Sequence, residues 1–424
     1  MIVLLLALVA QAAPSRILTL QEAERVASER QPQIRAARAG TQAAEARADE
    51  ARSGLLPQVS GTASYQRSTA NIIPRPGFVS AQTSSNFTTF NFFSTNVSLN
   101  QLIWDFGQTS GRWRAAQAGA QATADQEQST AQQIVLQVRS AFFTSRADKE
   151  LVGVARENLD NQRKHLEQIE GFVEAGTRPP IDLSSARAAT ANAQVQLTTA
   201  ENAYITSRVL LNQAMGVEAP LDYDVSDEAL PPVPGEDADP AALLQQAIAA
   251  RPDIASFEQQ VRVQQLTLRS IHGAYWPSLG GSLGFTQGGT RVDNLGWNLS
   301  GGVTLTWQLF QGGLTSAQVR ESEANIANAV AQLDALRQQV NVDVEQARLA
   351  IRAGKATLVS AQQALVAARD VLAQAEARYQ NGAGSVIELG DAQVAASQAG
   401  AQVVQAEFQL ATARAQLLRA LGRP

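Results

Sequence analysis

The chain has 424 residues, a formal net charge of -5, 45% hydrophobic and 5% aromatic content, and no cysteine. Disulfides, thiol catalysis, thiolate metal sites and an acyl chain on an N-terminal cysteine are therefore excluded. No basic stripe exists to hold nucleic acid. His165 and His272 are the only imidazoles and lie far apart, so neither a metal nor another cofactor is expected. The apolar residues are largely alanine, interspersed with glutamine in helical rhythm, which points to long packed helices.

The N-terminus reads MIVLLLALVAQAAPS, a short apolar run followed by the A-x-A pattern of Ala10, Gln11 and Ala12. It predicts a secretory leader over residues 1–12, although the usual basic residue is missing. The competing reading is a buried helix start. Periodicity then predicts a helix over about 20–53, strands over about 57–66 and 92–104, and helices over about 109–174 and 180–215. Residues 216–240, GVEAPLDYDVSDEALPPVPGEDADP, hold eight acids and no base. Proline and charge make 216–239 a linker or irregular segment; an acidic run of this kind is usually just solvated, and no binding role is expected of it. The same order follows again: a helix over about 240–272, strands over about 277–286 and 297–310, and helices over about 315–381 and 385–421. No later stretch is apolar enough for a membrane-spanning helix.

The chain is thus written twice, with a first repeat over 13–215 and a second over 240–424. ERQPQI at 29–34 resembles ARPDI at 250–254, and LLPQVSGTASYQ at 55–66 resembles YWPSLGGSLGFTQ at 275–287. QLIWDFG at 101–107 resembles WQLFQGG at 307–313, and EAGTRPPIDL at 174–183 resembles QNGAGSVIEL at 380–389. The long helix of each repeat is about 100 Å at 1.5 Å per residue, too long to stand without coiled-coil support. Heptad spacing supplies it: Leu358, Ala361, Leu365, Ala368, Leu372, Ala375 and Tyr379 in one repeat. Val152, Ala155, Leu159, Gln162, Leu166, Ile169 and Val173 follow the same spacing in the other.

The strands alternate. In NLSGGVTLTWQLF, residues 298–310, Leu299, Gly301, Val303, Leu305, Trp307 and Leu309 face opposite to Asn298, Ser300, Gly302, Thr304, Thr306 and Gln308. Residues 57–66 and 277–286 behave alike, which gives one oily and one wet sheet face. Trp297 and Trp307 share the oily face ten residues apart, about 25 Å of height along a tilted strand, the spacing of aromatic girdles in a bilayer. A soluble sheet covering a core is the alternative. Four strands close no barrel, and open edges cannot sit in lipid. Two chains would supply eight strands and three would supply twelve, so a homo-oligomer sharing one barrel is expected. Residues 67–90 and 287–296 would be its far loops.

The leader, the doubled helix–strand–strand–helix–helix plan, the W/L-F-x-G-G turn after the second strand and the G-x-x-x-x-I-[DE]-L turn between helices resemble the TolC family of outer-membrane efflux proteins. The resemblance covers nearly the whole mature chain. It implies a mainly α protein with a small β part. Three chains would share a 12-stranded barrel in outer-membrane lipid over a periplasmic α-helical tunnel. The implied partners are a periplasmic adaptor and an inner-membrane transporter, and no chemistry is performed.

The candidate sites lie at the two helix–helix turns. Glu388 and Asp391 stand three residues apart on one helix face, so a trimer would carry rings of carboxylates there. The resemblance implies that these acids line a periplasmic aperture and that Asp182 is linked to Tyr379 in holding it shut. Helix capping is the competing role, since acids in a first turn favour the helix dipole and Ser385 with Glu388 forms a capping box. Gly384 stands where many relatives have arginine, which leaves open whether Arg178 of the other turn replaces it. His165 is expected to face Glu376 near the tip, a contact that would strengthen as the imidazole charges below about pH 6.5. The functional expectation is a passive export duct for efflux or type I secretion. The alternative is a periplasmic adaptor or a coiled-coil structural protein. No nucleophile elbow, phosphate loop or metal constellation supports an enzyme.

Overall fold

A computed structural model describes residues 16–69, 87–218 and 220–423. The expected leader at 1–12 and most of the expected loop at 67–90 lie outside the described residues. The element order is β1 (Arg16–Leu18), α1 (Leu20–Arg30), α2 (Pro32–Ser53), β2 (Gln58–Thr69), β3 (Thr89–Trp104), α3 (Gln108–Glu174) and α4 (Pro180–Met215). It continues with β4 (Tyr223–Val225), α5 (Pro240–Ala250), α6 (Pro252–Gly273), β5 (Ser278–Arg291), β6 (Asn294–Thr306), α7 (Leu314–Gln380) and α8 (Val386–Ala420). Helix dominates. Helices α3 and α7 each have 67 residues, α2 and α6 each have 22, and α1 and α5 each have 11. Among the described residues no helix is long and apolar enough to cross a membrane.

The single helices expected over 20–53 and 240–272 are each broken. Proline has no backbone N–H and biases its predecessor toward extended backbone. Gln31 before Pro32 has ψ of 120° and Arg251 before Pro252 has ψ of 122°, and a new helix starts at each proline. The breaks are used. Gln31 Nε2 donates to the carbonyls of Gln213 and Ala214, which the end of α4 would otherwise leave unpaired. Arg251 pairs with Asp253 at 2.6 Å and Asp343 at 2.9 Å.

The chain divides into two compact units. One comprises residues 1–39, 125–255 and 334–424. Its core gathers Ile134, Val138, Phe142 and Phe143 of α3, Ala23 and Ala27 of α1, Leu211 and Met215 of α4, and Ala411 and Ala415 of α8. The segment between α4 and α5 packs onto the helices instead of lying solvated. Strand β4 pairs in parallel with β1 and buries Tyr223 and Val225. Asp224 takes a hydrogen bond from Tyr204 and pairs with Lys149 at 3.1 Å. Glu236 is buried, and accepts from the Val233 N–H at 2.9 Å and from Arg414 at 3.2 Å, with Lys355 at 2.7 Å. Apolar residues spaced among the acids, Leu230 and Val233 included, draw the segment onto the helices.

The other unit comprises residues 40–124 and 256–333 and holds one antiparallel sheet in the order β2-β3-β5-β6. Its register puts Val59 beside Leu99, Leu99 beside Leu283, Phe285 beside Leu299, and Leu279 beside Leu305. These residues share one face. On the other, Ser60 bonds Ser98 at 2.9 Å, Ser64 bonds Ser94 at 2.8 Å, and Thr286 donates to Asn96 at 3.0 Å. The loop expected at 287–296 is instead strand almost throughout: β5 runs to Arg291 and β6 resumes at Asn294. Gly288 pairs with Gly296, the register shifts between Gly288 and Arg291, and Arg291 pairs with Asn294 across the tight turn, while Gly289 pairs with Phe93 on the other side. Strand β6 ends at Thr306, not 310, because its neighbour begins at Ser278, after a proline that lacks a ladder donor.

Candidate functional site

The two helix–helix turns are built alike. Helix α3 ends where Gly176 adopts φ of 69°, and α7 ends where Gly382 adopts φ of 76°, both in the left-handed region that glycine enters without cost. The Thr177 and Ala383 N–H groups each return to a helix carbonyl at 2.9 Å. Pro180 opens α4 with φ preset. Ser385 caps α8 by accepting the Glu388 N–H at 3.1 Å. Glu388 therefore sits in a capped first turn, and its carboxylate takes a 2.7 Å ion pair from Arg378. Asp391 lies exposed nearby and shares neither contact.

Arg178 crosses from the first turn to the second. Its guanidinium lies 4.6 Å from the Tyr379 ring centre, and Nη2 donates to the carbonyls of Tyr379 at 3.3 Å and Gly384 at 3.5 Å. An added Cβ on Gly384 would come within 3.0 Å of the Tyr379 nitrogen and 3.2 Å of the Arg378 side chain. A side chain at position 384 would therefore crowd the turn as it stands, and the arginine contacts come from position 178.

The expected Asp182–Tyr379 link is not a hydrogen bond. Tyr379 is 1% exposed, and its hydroxyl has no hydrogen-bond partner among the described residues. The ring is instead fixed by Arg178 and by edge contacts with His165 at 5.1 Å and Phe172 at 6.4 Å. Burial pushes the phenol pKa up, Arg178 opposes that, and the charge of Asp182 adds to it. Asp182 acts on Tyr379 through space.

The expected His165–Glu376 ion pair is absent among the described residues. The two residues line one cavity of about 230 Å³ with Lys164, Gln168 and Gln393, but His165 turns its ring to Tyr379. Burial lowers the imidazole pKa from 6.5, and a hydrogen bond with Gln168 partly offsets this. Proton uptake is thus disfavoured in place, opposite to the expected sense.

Sequence reasoning missed the Gln162–Gln393 hydrogen bond of 2.8 Å, buried between α3 and α8. The signal was a glutamine inside an otherwise apolar heptad seam. On the sheet, Trp297 is 71% exposed and stacks on Phe285 at 6.4 Å, while Trp307 donates to the Tyr275 carbonyl at 3.2 Å. Trp104, Phe106 and Trp276 form a cluster near the strand ends, with centroids 5.9 and 5.4 Å apart, which the alternation argument also missed. The cue was the aromatic residues within QLIWDFG and YWPSLG, each beside a strand end.

Two sets of long helices, together with one four-stranded sheet that has a bare apolar face, are the parts expected of an outer-membrane channel protein. The sequence profile of the outer membrane efflux protein family matches residues 25–217 and 243–423, and the chain belongs to that family. It is 22% identical over 399 residues to the outer membrane efflux protein BepC of Brucella suis, covering 92% of this chain and 82% of that protein. It is 25% identical over 409 residues to the outer membrane protein TolC of Escherichia coli, covering 92% of this chain and 79% of that one. The fold matches the crystal structure of the Campylobacter jejuni CmeC outer membrane channel with a TM-score of 0.84 and 17% identity, covering 95% of this chain and 85% of that one. The protein is an outer-membrane efflux channel, and the adaptor and structural-protein alternatives are set aside.

Proposed function

We propose that three copies close a single 12-stranded barrel, with the oily strand faces in lipid and the wet faces around an aqueous lumen. The observation that carries this is the sheet itself. Val59, Leu299, Val303 and Leu305 are each 59% exposed or more on one face, and among the described residues β2 and β6 are edges without a further partner strand. Unpaired edges in lipid leave backbone groups unsatisfied, and closure by further copies removes them. Trp297 at one end and Trp307 with the Trp104–Phe106–Trp276 cluster at the other would sit at the two bilayer interfaces. The long helices would extend the duct into the periplasm as two structural repeats, 13–215 and 240–424, joined by 216–239 and preceded by a leader at 1–12.

The turns would form the gate. Arg178, Tyr379 and Asp182 tie the two turns of one chain, while Glu388 and Asp391 would place rings of acid at the aperture. Glu376 and His165 line the cavity behind it. Ile181 and Ile387, each 70% exposed in the first turns of α4 and α8, offer apolar contacts to a periplasmic adaptor that in turn engages an inner-membrane transporter. The test is edge-to-edge cross-linking. The chain has no cysteine. Single cysteines placed on β2 and β6 should therefore capture a three-chain species in outer membranes, and failure at every register would refute the shared barrel.

A further inference from the structure

The helix ends behind the turns enclose a polar layer that the turn contacts do not use. Gln162 and Gln393 are both buried and bond each other across α3 and α8. Close by on α3, His165 is 9% exposed and meets the Tyr379 ring edge-on. Among the described residues, His165 Nε2 and Tyr379 Oη are buried here without a hydrogen-bond partner. Lys164 lies on α3 itself, Glu376 and Tyr379 come from α7, and α8 presents Gln393 and Leu389 to the cavity. Asp182 of α4 and Arg178 of the first turn act on Tyr379. Glu376 shares the cavity without pairing to the imidazole, so among the described residues a charged His165 has the hydrogen bond with Gln168 but no carboxylate partner, and burial outweighs that bond.

From this geometry we infer that His165 is an acid-sensitive release. Uptake of a proton favours an arrangement in which α3 and α7 part at this level and the imidazole reaches water. The inference rests on reading the turns as a gate. The sign follows from linkage. The packed arrangement holds the imidazole neutral with a lowered pKa, whereas an opened arrangement lets it titrate near its ordinary 6.5. The packed state is therefore fully favoured above about pH 6.5 and loses ground as pH falls from there toward the packed-state value. Each unit of separation between the two values is worth about a tenfold bias toward opening.

The experiment uses the full chain in lipid bilayers between about pH 8 and 5.5, a window in which ordinary carboxylates stay ionised. Wild-type conductance should rise several-fold across it. His165→Gln, which keeps a polar group, and His165→Leu, which keeps an apolar volume, should both stay flat. NMR of the imidazole in a His272→Gln background should give one titration with a midpoint below 6.5. Equal pH responses in all three proteins, or a His165 midpoint at or above 6.5, would overturn the release. Absence of conducting channels at any pH would instead count against the duct reading, while the NMR midpoint still judges the buried imidazole.

Discussion

The Arg178 guanidinium lies 4.6 Å from the centre of the Tyr379 ring, and the same side chain donates to the Tyr379 carbonyl at 3.3 Å. One residue thereby joins two turns that are 201 positions apart in the chain. It does so beside Gly384, where a side chain of the turn's own would be crowded by the Tyr379 and Arg378 backbone.

Removing Arg178 should loosen that junction. A cation–π contact of this kind contributes about 0.5–2 kcal/mol, and the hydrogen bonds to carbonyls add to it. Arg178→Ala should therefore raise the open fraction of reconstituted channels by about three- to thirtyfold, read as single-channel conductance and open time. Arg178→Lys should recover little, because a lysine lacks the planar fork.

Gly384→Ala is expected to act in the same direction for a different reason. Its Cβ would crowd the Tyr379 nitrogen at 3.0 Å, backbone that cannot yield as a flexible side chain does. Overpacking of this kind costs about 1–3 kcal/mol. A Gly384→Arg variant should open the turn further rather than clasp it, and proteolysis at the turns would report the loosening.

Glu236 should set part of the acid stability of the helical unit. Burial by itself would raise its pKa, but hydrogen bonds from Lys355, Arg414 and the Val233 N–H outweigh this and hold it below 4.5. A depressed carboxylate stabilises the fold above its unfolded pKa and loses that contribution as pH falls through it and below. Glu236→Gln should cost about 1–3 kcal/mol near neutral pH. The gap between wild type and variant, followed by thermal melting in detergent, should shrink as pH is lowered to about 3.

The two sheet faces should respond oppositely to one charge. Leu299→Arg or Val303→Arg puts a cation on the oily face, at a cost of about 2–4 kcal/mol at the bilayer midplane. Ser300→Arg lies on the wet face between them and should assemble normally. The recovery of each variant in heat-resistant outer-membrane particles checks this.

Much of the fold was legible because it rests on periodicity. Strict alternation in NLSGGVTLT located the oily face, and the register pairs Leu299 with Phe285 on it. The breaks at Gln31 and Arg251 were written in the sequence as QP and RP, but amphipathic rhythm continues across both prolines and masked them. The hairpin between β5 and β6 was hidden by glycines that read as loop yet lie extended against a near partner. At the turns, residue types were readable and pairings were not. Tyr379, Asp182, His165 and Glu376 do gather in one region, but the choice among contacts depends on side-chain aim. Arg178 takes the face of the tyrosine, and His165 takes its edge. The burial of Glu236 was invisible because an acidic run is usually solvated, and its basic partners lie more than a hundred residues away on α7 and α8.

The most direct test of the central claim is the native mass of the protein after cell fractionation, measured with and without detergent. The shared barrel predicts recovery from outer membranes as a three-chain particle that needs detergent to stay dispersed. Recovery as a soluble monomer or dimer would mean that the Leu299 face packs against protein, and would contradict the barrel.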